Sequence, residues 1–354
     1  MEIHRNEVIE DSVPVTVLSN IRPQRRRGEP QARPSRPPFF IRSQEPARRG
    51  FPPAARDQRP VTVIRPGLLP MQQPPPLPPS PICSILVPVT NRKGCLSMEK
   101  YIDINENGLS VRCKLFYQKD FRNIPNLAIC THGFGGNKEN HSAAKFAQQL
   151  ITKYKGYGAL VFDWPCHGAD ARKKLVLEEF MTYLTLVVDY AHKELHATTL
   201  YNYSTSFGAY LTLKYMVEVG NPFKKVALRC PGIHMAQLVK NYLSPEEMEK
   251  LEKGKEVQVG YERKMKMDKQ FVEDLEKSDV QKYEYFDWAD DMLILHGTKD
   301  KLAPIEDSRE FAENNVITFI PVENANHTFS DPKTSDFAAH TIVEFFGPDT
   351  KKED

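Results

Sequence analysis

The sequence lacks the features of a secreted, membrane-spanning or metal-binding chain. Its 354 residues contain no apolar run approaching the roughly 18 residues of a membrane span. The first thirty residues also lack the apolar centre of a signal peptide. The six cysteines form no Cys-x-x-Cys pair, so neither a zinc-type spacing nor a disulfide framework is indicated. We therefore expect a cytoplasmic protein with reduced cysteines, no cofactor, no metal and no membrane span.

Acidic residues and lysine are scarce at the start of the chain, where arginine and proline dominate. Residues 1–97 hold 15 Lys+Arg against 7 Asp+Glu; 14 of the 15 basic residues are arginine, and 19 of the 28 prolines lie there. The remaining residues hold 33 Lys+Arg against 39 Asp+Glu. The total charge of +2 therefore combines a tail near +8 with a body near −6.

The tail, residues 1–97, has no hydrophobic period, and this composition predicts disorder. Its arginines suit nucleic acid or an acidic membrane, and its proline run suits an SH3-type groove. A solvated tail without a specific partner is the simpler interpretation, and we expect no nucleic-acid partner. The sharp change in composition also makes Met98 a candidate for the natural start of the protein.

Residues 98–354 alternate between strand and helix patterns, which predicts an α/β fold with a mostly parallel sheet covered by helices on both faces. A hairpin with an Asn-Gly turn at residues 107–108 opens this region. The alternation breaks over residues 232–286, where polar helical segments flank a short alternating piece. We interpret this stretch as an insertion, most simply a short lid over the carboxyl ends of the strands.

The nucleophile candidate lies where an aromatic-rich strand meets an apolar helical segment, in YSTSFG at residues 203–208. A serine at a sharp strand-to-helix turn has the geometry of a nucleophile elbow, whose strained backbone needs small residues two positions before and after. Ser206 meets this condition with Ser204 and Gly208. Ser204 meets it less well as the nucleophile itself, because Asn202 would be one of its neighbours.

A serine nucleophile needs a histidine to accept its proton and a carboxylate to hold the histidine. Asp300 ends LHGTKD (295–300) after one predicted strand, and His327 lies in NANHTF (324–329) after the next. The carboxyl ends of parallel strands share one edge of a sheet, so these residues are expected to meet Ser206. Asp290 and Asp291 are alternative acids, but they precede their strand and would lie at the opposite edge.

With these motifs in order, residues 98 to about 347 resemble the α/β-hydrolase superfamily, and most of all small bacterial esterases of the cinnamoyl/feruloyl esterase group. The HGFGG loop (132–136) is similar to that family's oxyanion loop, which implies an oxyanion hole formed by the backbone N–H groups of Phe134 and Phe207. The DWPCHG segment (163–168) departs from the family's Asp-x-x-Gly-His-Gly, since Cys166 replaces a glycine. Trp164 and Cys166 are either substrate-pocket residues or simple packing residues.

The resemblance implies a serine esterase that acts through Ser206, His327 and Asp300 on a small-molecule ester, with hydroxycinnamoyl or short acyl esters as candidates. A prolyl-oligopeptidase-like peptidase is an alternative, although residues 1–97 are too few for the large β-domain such enzymes carry. A non-catalytic relative that acts as a binding module is a third interpretation, which the complete triad disfavours. Composition and spacing leave the ester and the oligomeric state open.

Overall fold

The structure, a computed structural model, describes residues 87–90 and 96–349, with side chains from residue 97 onward. The predicted tail therefore lies largely outside the described residues. Eleven strands occur in the described part of the chain: β1 Val87–Thr90, β2 Leu96–Glu106, β3 Leu109–Tyr117, β4 Asn126–Thr131, β5 Tyr157–Phe162, β6 Thr199–Thr205, β7 Phe223–Arg229, β8 Val257–Val259, β9 Met265–Met267, β10 Met292–Gly297 and β11 Thr318–Val322.

The helices of the described residues alternate with the strands from β4 onward. They are α1 His141–Lys153, α2 Leu177–Lys193, α3 Phe207–Glu218, α4 Met235–Tyr242, α5 Pro245–Glu252, α6 Lys269–Lys277, α7 Ile305–Asn315 and α8 Pro332–Phe345, with 3₁₀ turns at Val280–Lys282 and Phe286–Asp291. Over the same residues, no helix is long and apolar enough to cross a membrane.

Nine of the strands form one sheet in the order β1-β2-β3-β5-β4-β6-β7-β10-β11. The pairs β1/β2, β2/β3 and β3/β5 are antiparallel, whereas every pair from β5/β4 to β10/β11 is parallel. The central parallel strands are almost fully buried, as expected for strands covered on both faces. This confirms the predicted α/β class with a mostly parallel sheet.

Two hydrophobic clusters cover the two faces of this sheet. Side chains of α1 and α8 pack on one face around Phe146 and Phe346. Side chains of α2, α3 and α7 pack on the other face, together with apolar residues of the segment between β7 and β10. The sheet is thus held as a rigid central layer, and the loops at the carboxyl ends of its parallel strands lie along one edge.

The sheet begins upstream of Met98, where the sequence placed the start of the folded body. β1 and the first two residues of β2 come from the predicted tail, and Met98 pairs with Tyr117 in the interior of a strand ladder. Ser97 is buried. The change in composition therefore does not coincide with the start of the sheet, because a strand's extent depends on its ladder partner rather than on residue usage.

The expected insertion joins β7 to β10, two strands that are neighbours in the sheet. It contains α4, α5, the antiparallel hairpin β8/β9 and α6. The capping box of Ser244 and Glu247 begins α5, and the Asp268 side chain caps α6. The insertion is not a detached flap, because side chains such as Met265 and Phe271 belong to the same buried cluster as the face of the sheet.

Candidate active site

Ser206 lies at the junction of β6 and α3 with a backbone φ of +52° and ψ of −117°. This strained conformation is rare for a residue with a side chain, and such strain concentrates at functional sites. The surrounding backbone holds it in place, since the Ser206 N–H donates to Arg229 O at 3.0 Å and the Ser206 carbonyl accepts from the N–H groups of Ala209 and Gly232. The predicted elbow is therefore present at Ser206.

The small residues around the elbow are required by close packing. A Cβ atom at Gly208 would lie 2.6 Å from His132 O, and one at Gly133 would lie 3.1 Å from Ser206 Cβ. Ser204, the alternative nucleophile, is fully buried and hydrogen-bonded to the hydroxyls of Thr131 at 2.8 Å and Thr212 at 2.7 Å. Its hydroxyl therefore serves the packing under the elbow.

Three predicted residues, each from a different loop at the carboxyl edge of the sheet, form one hydrogen-bonded chain. Ser206 Oγ lies 2.9 Å from His327 Nε2, and His327 Nδ1 lies 2.6 Å from Asp300 Oδ2. Asp300 is inaccessible to solvent at its side chain, while 16% of the His327 side chain is exposed. With Nδ1–H donating to the carboxylate, Nε2 is left free to accept the serine proton.

Asp300 is held as a carboxylate by groups that the sequence did not identify as its partners. Its Oδ1 accepts the backbone N–H groups of Leu302 at 2.8 Å and Ala303 at 3.0 Å. Its Oδ2 lies 3.1 Å from His296 Nε2. Burial opposes the charge, but the hydrogen bonds from His296 and His327 hold the pKa of Asp300 well below its ordinary value. The alternative acids, Asp290 and Asp291, lie in the turn before β10, away from this edge.

Cys230 lies beside these residues, although in the sequence it counts only among the expected reduced cysteines. It follows β7 with a φ of +45°, and its Sγ, a carboxylate oxygen of Asp300 and a ring nitrogen of His327 lie within 4.8 Å of one another. Burial, followed by the charge of Asp300, raises the pKa of the thiol, so Cys230 stays neutral. The feature of the sequence that could have identified Cys230 as a neighbour of Asp300 is its position at the carboxyl end of a strand, where the loops of a parallel sheet meet.

The HGFGG loop lies directly against the nucleophile, as the close approach of Gly133 to Ser206 shows. Phe207 begins α3, and an N–H in the first turn of a helix has no acceptor within the helix. The Phe134 and Phe207 rings meet edge to face at 5.6 Å. The two residues predicted to form the oxyanion hole are thus neighbours beside Ser206.

Hydrogen bonds of His132 and Trp164 hold the HGFGG loop in place. His132 Nδ1 lies 2.9 Å from Gly133 O, while the Trp164 backbone N–H points to His132 Nε2 at 3.4 Å and Trp164 Nε1 donates to His132 O at 3.1 Å. Burial lowers the pKa of His132 to about 4, so the ring is neutral near pH 7. Trp164 has no exposed surface, and its contacts support the oxyanion loop.

Cys166 is also completely buried, and its Sγ lies 3.1 Å from Lys174 O. Its φ of +68° is the left-handed conformation that favours glycine, so the cysteine keeps the backbone shape expected of the residue it replaces. The Cys166 N–H donates to Asp170 at 2.8 Å. The contacts described for Trp164 and Cys166 are those of packing residues. None of these contacts supports a place for either residue in a substrate pocket.

The insertion reaches the same edge of the sheet. The Arg263 guanidinium, between β8 and β9, donates to the backbone carbonyls of Gly168 at 2.5 Å and Arg172 at 2.8 Å, in the loop that follows β5. Tyr210 in α3 donates its hydroxyl to Ser278 O at 3.0 Å. Hydrogen bonds therefore join the insertion to the loop after β5 and to α3, the helix that follows Ser206.

Searches with the sequence found no matching family model and no matching curated protein. Solved structures do match. Est1E from Butyrivibrio proteoclasticus, with ferulic acid bound, is 19% identical; the match covers 69% of this chain and 98% of that chain with a TM-score of 0.57. The esterase domain of a Rhodothermus marinus protein is also 19% identical, with 70% and 97% covered and a TM-score of 0.52.

A third match is the mouse alpha/beta hydrolase domain-containing protein 10, at 16% identity, 69% and 97% coverage and a TM-score of 0.51. At these identities the likeness concerns the fold. The matches extend over almost the full length of each solved structure. The chain therefore has the α/β-hydrolase fold, with a short insertion before its acid-bearing strand.

Proposed function

We propose that this protein is a serine hydrolase that cleaves carboxylic esters. The observation that carries the proposal is the uninterrupted chain from Ser206 Oγ to His327 at 2.9 Å and from His327 to Asp300 at 2.6 Å, next to a glycine-rich loop. A serine hydroxyl is a poor nucleophile near neutral pH unless a histidine accepts its proton as the bond forms. The three loops supply these groups in reach of one another.

In the acylation step, Ser206 Oγ attacks the ester carbonyl while its proton moves to His327 Nε2. Asp300 stabilises the imidazolium and keeps Nδ1 protonated. The carbonyl oxygen gains negative charge, which the N–H groups of Phe134 and Phe207 stabilise by hydrogen bonds. Collapse of the intermediate breaks the bond to the alcohol oxygen, which leaves with the proton from His327.

In the deacylation step, water takes the place of the alcohol. His327 Nε2 removes a proton from this water as its oxygen attacks the acyl carbonyl, and the same oxyanion donors stabilise the second intermediate. The proton then returns to Ser206 Oγ as the acid leaves. The strained backbone of Ser206 holds Oγ at the carboxyl edge of the sheet, so neither step requires rearrangement of the sheet.

The surroundings of the proposed oxyanion hole are aromatic, since the Phe134 ring meets Phe207 at 5.6 Å and His167 at 5.5 Å. This favours an ester with an apolar or aromatic acyl group, in keeping with the hydroxycinnamoyl or short acyl esters expected from the sequence. The likeness in fold to Est1E, whose structure holds ferulic acid, also supports an ester with an aromatic acyl group.

Labelling by a fluorophosphonate tests the reaction class. We expect one equivalent of label on Ser206, and none in Ser206→Ala. Ser204→Ala is the matched control, because its hydroxyl is buried two residues away and should leave labelling intact. Labelling of Ser206→Ala but not of Ser204→Ala would place the nucleophile at Ser204. A panel of aryl esters beside aminoacyl amides then separates ester from amide hydrolysis.

A further inference from the structure

An aromatic cluster extends from the proposed oxyanion hole into the protein. The ring of Phe207 contacts Phe180 at 5.3 Å and Phe134 at 5.6 Å, both edge to face. The ring of His167 contacts Phe134 at 5.5 Å and Phe180 at 6.1 Å. Phe180, Phe207 and His167 are almost completely inaccessible, whereas Phe134 is only half-buried. Phe134 is therefore the side of this cluster nearest to solvent.

His167 contributes the polar group of the cluster. Its Nδ1 lies 2.8 Å from Pro165 O, and a carbonyl can only accept, so Nδ1 carries the proton. Nε2 therefore presents a lone pair. This atom is buried and has no hydrogen-bond partner among the described residues. A buried acceptor without a donor is destabilising, which calls for an explanation at this position.

The missing partner must be a hydrogen-bond donor, and the surroundings indicate a neutral one. Burial is the main cause that lowers the pKa of His167 to about 3, and the charges of Asp163 and Arg263 act in opposite directions. A cationic donor is disfavoured because it would lose its hydration at this buried position. A phenolic hydroxyl suits the site better, because its ring packs edge to face or offset against aromatic side chains while its O–H reaches the imidazole nitrogen.

We propose that His167 is a substrate-binding residue whose Nε2 accepts a hydrogen bond from the phenolic hydroxyl of an aromatic ester, held among Phe134, Phe180 and Phe207. The proposal rests on the proposed esterase function and adds the residue that recognises the hydroxyl. The half-buried Phe134 ring must turn aside for this, so that the phenol ring takes its place against Phe207 and His167. Both proposed oxyanion residues belong to this cluster, so a phenol held there would lie close to the ester carbonyl.

The test compares two substrates that differ by one hydroxyl, methyl 4-hydroxycinnamate and methyl cinnamate. For the parent protein we expect kcat/KM to be about tenfold higher for the hydroxylated ester, as for one neutral hydrogen bond to an otherwise unpaired group. In His167→Phe, which keeps a ring but removes the acceptor, this ratio should fall to about one. His192→Phe is the matched control, since His192 Nδ1 also bonds a backbone carbonyl, Ala197 O at 2.7 Å, and its ratio should equal that of the parent.

A ratio that is unchanged in His167→Phe, or close to one in the parent, overturns the proposal. Should the variant not fold, nitrogen NMR of the parent's histidines with added phenol decides: a shifted His167 Nε2 resonance supports the proposal and an unshifted one overturns it. Fluorophosphonate labelling in the same preparations separates the two hypotheses. A protein that resists labelling contradicts the esterase function, whereas one that is labelled without hydroxyl discrimination contradicts only the role of His167.

Discussion

Lowering the pH from 7 to 5 is expected to destabilise this protein through two buried histidines. Burial lowers the pKa of His132 to about 4 and, with a contribution from His132, that of His167 to about 3. In the unfolded chain both titrate near the ordinary value of about 6.5. The folded state therefore favours the neutral rings. Their stabilising contribution is complete above pH 6.5 and is lost as the pH falls toward the folded values.

The size of the effect follows from proton linkage. Between pH 7 and pH 5 the unfolded chain takes up roughly three-quarters of a proton at each of these histidines, while the folded protein takes up almost none. Each site then lowers the free energy of unfolding by about 2 kcal/mol over this interval. Together they contribute about 4 kcal/mol, a large share of the stability of an ordinary domain.

Urea unfolding at pH 7, 6 and 5 measures this dependence, with the fluorescence of the buried Trp164 as one probe. In His167→Phe the loss of free energy between pH 7 and 5 should be about 2 kcal/mol smaller than in the parent. The comparison uses the difference between two pH values, so an overall change in stability from the new side chain does not affect it. The slope m should stay constant.

His340 provides the control, because it is exposed on α8 and loses little hydration on folding. His340→Gln should retain the parent's pH dependence. If His167→Phe also retained the parent's dependence, the imidazole of His167 would be as easily protonated in the folded protein as in the unfolded chain. The description of Nε2 as a buried lone pair would then be wrong.

Ser206→Ala should lower kcat about 10⁴-fold or more while the protein stays folded. Asp300→Asn should lower kcat by roughly 10⁴-fold, because His327 would adopt the wrong tautomer. Ester hydrolysis assays check both predictions. Val316, a β-branched residue at a φ of +59° and 72% exposed, ends α7, so Val316→Gly should raise the melting temperature by about 2–4 °C. A chain that begins at Met98 lacks β1 and the first two residues of β2, which lie at the antiparallel end of the sheet away from β6, and its activity should equal the full chain's.

The sequence was sufficient for the sheet and for the positions of the proposed triad. Parallel strands bring their carboxyl ends to one edge, so three residues that each follow a different strand meet there whatever lies between them. The strand and helix limits follow from hydrophobic period and turn residues. The Asn-Gly turn predicted at residues 107–108 lies between β2 and β3, and the polar helical segments expected within residues 232–286 include α5 and α6.

The groups around the triad were harder to predict because they depend on side-chain directions. His296 lies inside the acid motif, and only the structure places its Nε2 beside Asp300. In the sequence, Cys230 looks like a core residue because it follows an apolar stretch. In the structure it has a left-handed backbone conformation and lies beside Asp300. The insertion was expected as a cover alone, yet Phe271 packs against Phe180 at a ring distance of 6.4 Å. Replacing its middle would therefore expose part of the main core.

Cys166 replaces a glycine of the resembled motif, and Ser204 stands two residues before the nucleophile candidate, where the smallest possible residue is glycine; the structure shows how each side chain is accommodated. At Ser204 the added hydroxyl enters a buried network with Thr131 and Thr212, so the crowding below the elbow is offset by hydrogen bonds. At Cys166 the backbone keeps a positive φ, and the strain is opposed by the bond from its N–H to Asp170.

These compensations come from neighbouring groups, so a motif with a substituted glycine can keep its geometry when hydrogen bonds hold the substituted residue in place. Thr131 ends β4 and Thr212 lies within α3, so the two hydroxyls that are hydrogen-bonded to Ser204 belong to the elements that precede the HGFGG loop and follow Ser206. The departure at Ser204 thus links these two elements through side chains, where a glycine would leave only backbone contacts. A search for such elbows should therefore examine the residues facing a non-glycine position before discarding the match.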